Sequence, residues 1–214
     1  LRLFLQKLFL MNTFDILPLN KQLRNAIDDL GFVKPTPIQE QAIPMLLIEA
    51  TDFLGLAQTG TGKTAAFGIP LIEHIDTDIH AVQAVVLSPT RELAQQIAQQ
   101  LTHFSKYLPK IEVGVVYGGA AITNQIKDLK RMRPQILVAT PGRMFDLVSQ
   151  GALDLGRVEI LILDEADHML DLGFIKDIRG LMHNLPRKRQ TLFFSATINE
   201  KIKNLAYSLV TDAI

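Results

Sequence analysis

Short apolar runs alternate along this chain with segments in which apolar residues recur every three or four positions. The runs are rich in β-branched residues and predict strands at residues 52–56, 84–88, 113–117, 136–139, 160–164 and 191–195. The helical patterns cover residues 21–30, 37–48, 91–104, 123–132, 143–149, 175–184 and 199–208. Strands that alternate with helices predict an α/β fold, in which a mainly parallel sheet carries helices on both faces.

The composition predicts a folded domain without an overall charge. Of the 214 residues, 48% are hydrophobic, which supplies a substantial core and argues against global disorder. Lysine and arginine together number 22, as do aspartate and glutamate, so the formal net charge is +0 and nucleic-acid binding would need a local basic patch. The chain has no cysteine, which excludes disulfides and cysteine-ligated metal and is compatible with a reducing cytoplasm.

The N-terminal segment carries seven Leu or Phe in its first ten residues. It is too short to span a bilayer and lacks the features of a signal peptide, so no membrane partner is expected. Because Met11 resembles a natural start, we expect residues 1–10 to be an extension from cloning or from a misread start, and residues 11–214 to form one domain. An amphipathic partner-binding helix is the alternative for residues 1–10. In the helix predicted at residues 37–48, Pro44 is expected to cause a kink or to mark a late start.

A glycine-rich loop follows the first predicted strand and opens a helix, with the sequence Ala57-Gln58-Thr59-Gly60-Thr61-Gly62-Lys63-Thr64. This is the context of a phosphate-binding loop, because its glycines let backbone N–H groups converge on phosphate oxygens at a helix N-terminus. Lys63 would supply a cation to the outer phosphates and Thr64 a hydroxyl to Mg²⁺. Ala57 stands where the strict pattern has Gly, a departure that concerns only the entry to the loop. The alternative is a flexible turn that contains a lysine by chance.

The acidic sequence Asp164-Glu165-Ala166-Asp167 comes at the end of the strand predicted at residues 160–164. Open α/β sheets bind their ligands at the carboxyl ends of strands, and carboxylates suit a hydrated Mg²⁺. Beside a phosphate loop, Asp164 is predicted to hold Mg²⁺ and Glu165 to orient and deprotonate the attacking water. The alternative is a helix N-terminus that is enriched in acids.

These motifs, together with Gly31-Phe32 and Pro35-Thr36-Pro37-Ile38-Gln39, resemble those of the DEAD-box ATP-dependent RNA helicases of helicase superfamily two. The resemblance runs from about Phe14 to the C-terminus and implies a RecA-like P-loop NTPase domain that binds ATP and Mg²⁺. It implies that Gln39 recognises adenine, since an amide can both donate to and accept from the base edge, and that Phe14 stacks on the base. Helix capping by Gln39 and a core position for Phe14 are the alternatives.

Three further segments resemble the family's RNA-backbone motifs, namely Pro89-Thr90-Arg91-Glu92-Leu93-Ala94, Gly118-Gly119 and Thr140-Pro141-Gly142-Arg143. Each comes directly after a predicted strand, and their hydroxyls, helix N-terminal amides, glycines and arginines suit sugar and phosphate. The resemblance therefore implies sequence-independent RNA binding, with Arg91 and Arg143 as its cations. No aromatic cluster interleaves these segments, so stacking on bases is not indicated. Helix capping by Thr90 and Thr140 is an alternative role that is compatible with RNA binding.

The sequence Ser195-Ala196-Thr197 matches the family's coupling motif, and its hydroxyls are expected to bond the acidic segment at Asp167. No counterpart of the family's second RecA-like domain follows Thr197. We therefore expect the ATP-binding half of an RNA helicase, nearly inactive in isolation, that works with a second RecA-like domain as a monomer in the cytoplasm. The alternatives are a non-catalytic ATP- or RNA-binding module, a protein-interaction module and a DNA-directed relative.

Overall fold

The computed structural model describes residues 13–48 and 51–209, so the extension predicted at residues 1–10 lies outside the described residues. The strands are β1 Phe53–Leu56, β2 Ala84–Leu87, β3 Val113–Val116, β4 Ile136–Ala139, β5 Ile160–Leu163 and β6 Gln190–Ser195. The α-helices are α1 Lys21–Asp29, α2 Pro37–Ile48, α3 Lys63–His74, α4 Arg91–Phe104, α5 Ile122–Met132, α6 Pro141–Ser149, α7 Ala166–Asp171, α8 Ile175–Met182 and α9 Glu200–Leu209. None of them combines the length and apolar character that crossing a bilayer requires.

The strands form one six-stranded sheet in the order β1-β6-β5-β2-β4-β3, and every paired neighbour is parallel. The chain passes from β1 at one edge to β2 in the interior, and β5 and β6 later fill the gap between them. All six carboxyl ends therefore meet at one edge of the sheet. The predicted α/β fold with a parallel sheet is confirmed.

Both faces of the sheet are covered, because successive strand residues point to opposite sides. Val86 and Phe194 belong to a core formed with α1 to α4, whereas Leu87 and Phe193 belong to a second core formed with α5 to α9. Burial on both faces explains why the strand sequences are continuous apolar runs.

Two local features differ from the sequence-based expectation. The helix predicted from Pro37 through Ile48 is confirmed as α2, so the late start offered as one of two roles for Pro44 is wrong, and the kink stays a prediction. Pro37 suits the first turn, where its missing N–H leaves no intrahelical bond unmade. The other difference is α7, which the sequence patterns do not predict, because six residues are too few to show a helical period.

Candidate functional site

The strand order arranges the sequence motifs along the carboxyl edge of the sheet in two groups. The phosphate loop, the Ser195 turn and the acidic segment follow β1, β6 and β5, which are adjacent. The three segments predicted to contact RNA follow β2, β4 and β3, which form the other half. The ladder continues past the strands, since the Ala57 N–H donates to the Ser195 carbonyl at 3.0 Å and the Asp164 N–H to the Leu87 carbonyl at 2.9 Å.

The phosphate loop depends on two glycines in the left-handed region, with φ of 82° at Gly60 and 90° at Gly62. Gly62 precedes α3, so Lys63 and Thr64 stand in the first turn of that helix. A Cβ at Gly62 would collide with the amide nitrogen of Gln39, so this position has neither the conformation nor the space for a side chain.

The Gln39 side chain is buried and supports this loop. Its Nε2 donates to the Gly62 carbonyl at 3.1 Å, and its Oε1 accepts the Thr36 N–H at 2.9 Å. The second bond is the backward half of a capping box at the start of α2, so the helix-capping alternative is confirmed. Recognition of adenine by Gln39 stays a prediction.

Lys63 and Asp164 form an ion pair in the interior of this edge. The Lys63 Nζ lies 3.2 Å from the Asp164 Oδ1, and their side chains are only 5% and 3% exposed. Neither atom makes a well-angled hydrogen bond to a described residue, so we attribute their attraction to charge. Burial raises the pKa of Asp164, and the charge of Lys63 opposes that rise.

This donor set fits a nucleotide phosphate and its cation. The ammonium of Lys63 and the carboxylate of Asp164 keep unused hydrogen-bonding capacity beside the glycine-rich loop, in which Gly60 and Gly62 are left-handed. Thr64 and Asp164 are the side chains that could hold Mg²⁺, which commonly takes one or two protein ligands together with phosphate and water. In the part of the chain that the structure describes, no cluster of three or more His, Cys, Asp or Glu side chains could hold a metal by itself.

Glu165 has a left-handed backbone conformation, with φ of 54° and ψ of 52°, directly before α7. Such a conformation is unfavourable for a residue with a side chain and is held by its surroundings. The Thr59 hydroxyl donates to the Glu165 carboxylate at 2.7 Å, and the His168 Nδ1 lies 3.5 Å from its other oxygen. The acidic segment is therefore tied to the phosphate loop.

Asp167 is tied in turn to the segment after β6. The backbone N–H and the hydroxyl of Thr197 both donate to the Asp167 Oδ2 at 3.0 Å, so the predicted link to Asp167 is confirmed for Thr197, whereas the Ser195 hydroxyl donates elsewhere. Partial burial raises the pKa of Asp167, but hydrogen bonds from Thr197 and from the His168 backbone outweigh that effect, and the net pKa is lowered. The Ser195 hydroxyl donates to the Thr197 carbonyl at 2.8 Å and orients the turn.

Arg91 and Arg143, the two arginines predicted to contact RNA, have different surroundings. Arg91 is exposed, and its guanidinium carbon lies 4.5 Å from the centroid of the Tyr117 ring. Arg143 is half-buried, and its Nη2 donates to the Ala120 carbonyl at 2.8 Å. Its Nε and Nη1 are buried and have no hydrogen-bond partner among the described residues. A phosphate contact stays a prediction for both.

The other residues predicted to contact RNA mainly have structural roles within the protein. The Thr90 hydroxyl caps α4 by accepting the Leu93 N–H at 3.2 Å, so its capping role is confirmed. The side-chain cap suggested for Thr140 is wrong: Thr140 stands at the N-cap of α6 without a capping hydrogen bond, and its hydroxyl instead accepts the Gly118 N–H at 3.3 Å, which connects two of the three segments. Gly119 has φ of 78°, which favours glycine. Pro89 is buried, whereas Pro141 and Gly142 begin α6.

Phe14 lies in the core and is only 5% exposed. Its ring packs against Phe32 with centroids 5.8 Å apart, and Phe32 packs against Phe104 at 6.1 Å. The core position that the sequence left open is confirmed, and stacking of Phe14 on a base stays a prediction.

Sequence reasoning missed Thr36, Tyr117 and Gln125 as parts of the site. The spacing of Thr36 and Gln39 is that of a capping box, a signal that was available in the sequence. Gln125 accepts the Tyr117 N–H at 3.3 Å and donates to the Tyr117 carbonyl at 3.0 Å. No local pattern indicates that pair, because it joins a strand end to the following helix.

Taken together, the parallel sheet, the glycine-rich loop after β1 and the acids after β5 define a RecA-like α/β domain. A family model described as DEAD/DEAH box helicase matches residues 36–205, and the chain belongs to that family. The fold is similar to the crystal structure of a DEAD box protein from the hyperthermophile Methanococcus jannaschii, with a TM-score of 0.88 and 40% identity over 94% of this chain and 55% of that one.

Two curated relatives show how much of a longer protein the chain matches. It is 49% identical over 199 residues to the ATP-dependent RNA helicase CshA of Limosilactobacillus reuteri, which covers 93% of this chain and 39% of that protein. It is 47% identical over 193 residues to the ATP-dependent RNA helicase DeaD of Escherichia coli strain K12, covering 90% of this chain and 30% of that protein. The chain therefore spans well under half the length of either relative.

Proposed function

We propose that this chain is the ATP-binding half of an ATP-dependent RNA helicase, which couples ATP hydrolysis to local unwinding of RNA duplexes. The buried pair of Lys63 and Asp164 carries the proposal, because its atoms meet at 3.2 Å with hydrogen-bonding capacity to spare. Such a pair beside a phosphate loop suits a nucleotide and its metal ion. The names of the two relatives, both ATP-dependent RNA helicases, support the same activity.

In this proposal the loop of residues 58–64 is a P-loop that holds the ATP phosphates. Its backbone N–H groups and the Lys63 ammonium bind phosphate oxygens, and Gln39 recognises the adenine. Thr64 and Asp164 hold Mg²⁺, which when bound neutralises charge on the phosphates. The left-handed glycines support this assignment, because they allow the backbone to approach a phosphate closely.

Glu165 is the residue we assign to the attacking water, which it orients and whose proton it accepts. Its carboxylate is held by the Thr59 hydroxyl at 2.7 Å, which positions it relative to the phosphate loop. Asp167, Ser195 and Thr197 couple this turn to β6, since Thr197 makes two bonds of 3.0 Å to Asp167. Movement of the segment after β6 would therefore be transmitted to the acidic turn.

RNA binding is assigned to the other half of the carboxyl edge, through Thr90, Arg91, Gly119, Thr140 and Arg143. Hydroxyls, glycines and guanidinium groups contact sugar and phosphate and carry no sequence information, so binding would be sequence-independent. The chain has a formal net charge of +0, so this interaction depends on the local arginines.

We further propose that a second RecA-like domain completes the site and that the whole protein works as a cytoplasmic monomer. The greater length of both relatives supports a further domain. We expect the second domain to supply an arginine that stabilises the transferred phosphoryl group, and without such an arginine the rate of phosphoryl transfer falls by about 10³- to 10⁵-fold. The 214-residue chain alone is therefore expected to bind ATP weakly and hydrolyse it very slowly. Robust RNA-stimulated hydrolysis by this chain alone would contradict that expectation.

The test of the nucleotide site is Lys63→Ala. This variant is expected to lose Mg·ATP binding in calorimetric titration, because the buried cation beside the phosphate loop is removed. Lys110→Ala is the matched control, since Lys110 is exposed and pairs with Asp78 on the surface. Unchanged affinity of Lys63→Ala for the nucleotide would refute the proposed site.

The test of the catalytic assignment is Glu165→Gln in the full-length protein. The amide keeps the size of the side chain but cannot accept the proton of water, so ATP and RNA should remain bound together with little turnover. Single-turnover kinetics measure this directly. Turnover near the wild-type rate would remove Glu165 from the proposed role.

A further inference from the structure

We propose that Tyr117 is a positioning residue for RNA binding, which holds the Arg91 guanidinium in the orientation that contacts a phosphate. The inference deepens the proposed function and rests on its assignment of RNA to this half of the edge. Tyr117 follows β3 directly, at the start of the segment that contains Gly118 and Gly119.

The first observation is the way in which Tyr117 contacts α4. The Arg91 guanidinium carbon lies 4.5 Å from the ring centroid, which is the distance of a cation–π contact. The Tyr117 hydroxyl accepts a hydrogen bond of 3.2 Å from the Gln95 Nε2, one turn further along the same helix. The ring is therefore fixed at two points relative to Arg91.

The second observation is that the Arg91 side chain has no other polar partner in residues 13–48 and 51–209, where it makes no hydrogen bond and no ion pair. The contact with the ring is made without the guanidinium N–H groups, which therefore stay available to a ligand. Those groups form a fork that matches a phosphate. An exposed arginine side chain loses conformational entropy when it binds a ligand. Because the Tyr117 ring already restricts the Arg91 side chain, less conformational entropy is lost on binding.

The third observation is that the backbone of Tyr117 is fixed as firmly as its ring. The buried Gln125 side chain of α5 bonds both the N–H and the carbonyl of Tyr117, at 3.3 and 3.0 Å. The residues that follow Tyr117 are held by α6 and its N-cap. The Thr140 hydroxyl accepts the Gly118 N–H, and the Arg143 guanidinium donates to the Ala120 carbonyl. Tyr117 thus links the exposed arginine to a loop that the other RNA segments already hold.

The experiment measures binding of the 214-residue chain to a fluorescein-labelled single-stranded oligouridine by anisotropy at low salt. Tyr117→Leu should weaken binding by about two- to thirty-fold, the range expected for a cation–π contact. Tyr117→Phe keeps the ring and should retain most of the affinity. Tyr107→Leu is the matched control, because Lys106 lies 4.8 Å from the Tyr107 ring beyond the other end of α4, and it should bind as wild type does.

A double-mutant cycle separates positioning through Arg91 from a general structural effect. In an Arg91→Ala background, Tyr117→Leu should have no further effect on RNA affinity. In the wild-type background it should also make the negative slope of log affinity against log salt shallower by up to about 0.7, as expected when one phosphate contact to single-stranded RNA is lost. The same loss of affinity in both backgrounds would overturn the inference.

Two further measurements make the outcomes distinguishable. Thermal melting checks folding, and if Tyr117→Leu does not fold, Arg91→Lys carries the test, since it keeps the charge, loses the planar fork and should weaken binding. Arg91→Lys binding that equals wild type would then overturn the inference. A wild-type chain that binds no RNA refutes the proposed RNA-binding function and the inference with it, whereas equal binding by wild type and Tyr117→Leu refutes the inference alone.

Discussion

Lys63→Met removes one partner of the buried ion pair while keeping most of the side-chain volume. With the two side chains only 5% and 3% exposed, water cannot replace the lost ammonium at the Asp164 carboxylate. Breaking a buried pair in this way costs about 3–5 kcal/mol. In a domain of about this size, 1 kcal/mol corresponds to roughly 2–4 °C, so Tm should fall by about 6–20 °C near neutral pH.

The deficit of Lys63→Met should depend on pH. Burial raises the pKa of Asp164 and Lys63 opposes that rise, so losing Lys63 raises this pKa further. A carboxyl group whose pKa is higher in the folded state favours folding below its unfolded pKa, and that contribution is lost as the pH rises through the folded pKa. The stability lost in Lys63→Met, relative to wild type, is therefore largest above the folded-state pKa of Asp164 in the variant. It shrinks as the pH falls towards about 4, the pKa of the unfolded carboxyl group.

Thermal and urea denaturation, followed by circular dichroism at about pH 8 and about pH 4.5, measure both effects. Lys110→Met is the matched control: its partner Asp78 is also 3.2 Å away, but the two side chains are 67% and 83% exposed, so it should be indistinguishable from wild type. The double variant Lys63→Met/Asp164→Asn should recover part of the stability, because no charge is left buried. A Lys63→Met variant as stable as wild type, or equally destabilised at both pH values, would refute this reasoning.

Two other substitutions test the links around the site. Gly62→Ala places a Cβ against the Gln39 amide at a φ of 90°, which should cost about 1–2 kcal/mol of stability from backbone strain alone and weaken ATP binding. Gly151→Ala is the matched control, with φ of 65° and open space around it, and it should leave ATP binding unchanged. Equal losses of ATP affinity in calorimetric titration of the two variants would contradict this prediction. Thr197→Val removes a hydrogen bond that helps to lower the pKa of Asp167 in the folded state. A carboxyl group with a lowered folded-state pKa stabilises the fold above its unfolded pKa of about 3.9, and this stabilisation is lost as the pH falls through the folded-state pKa. The stability difference between wild type and Thr197→Val should thus be constant near neutral pH and shrink in acid, and thermal melts that show a constant difference down to about pH 2 would argue against the link.

Much of the fold was predictable because its signals are local. Runs such as Ile160–Leu163 are apolar throughout, which indicates a strand buried on both faces, and the predicted strand ends differ from the observed ones by at most one residue. The phosphate loop was equally visible, since glycines, a lysine and a threonine at fixed spacing imply its chemistry. The helix α7 was missed, because a single short turn of helix has no periodicity to detect.

The conformations at the site were less predictable, because they depend on contacts between distant segments. Nothing in the sequence indicates that Glu165 adopts a left-handed conformation, or that the Thr59 hydroxyl holds its carboxylate at 2.7 Å. The bond from Gln39 to Gly62 likewise joins residues separated by the rest of α2 and by β1. Phe14 matched a base-stacking position, yet its ring lies in the core against Phe32.

By itself, the sequence determined the class of fold, the order of its elements and the chemistry of each motif, because periodicity and turn composition act over a few residues. Only the tertiary structure decided the strand order β1-β6-β5-β2-β4-β3, which inserts β5 and β6 between β1 and β2. That order brings Asp164 within 3.2 Å of Lys63 and places Arg91 over Tyr117. The reason is physical: strand pairing and side-chain burial are interactions between segments far apart in the chain, and they alone select which motifs become neighbours.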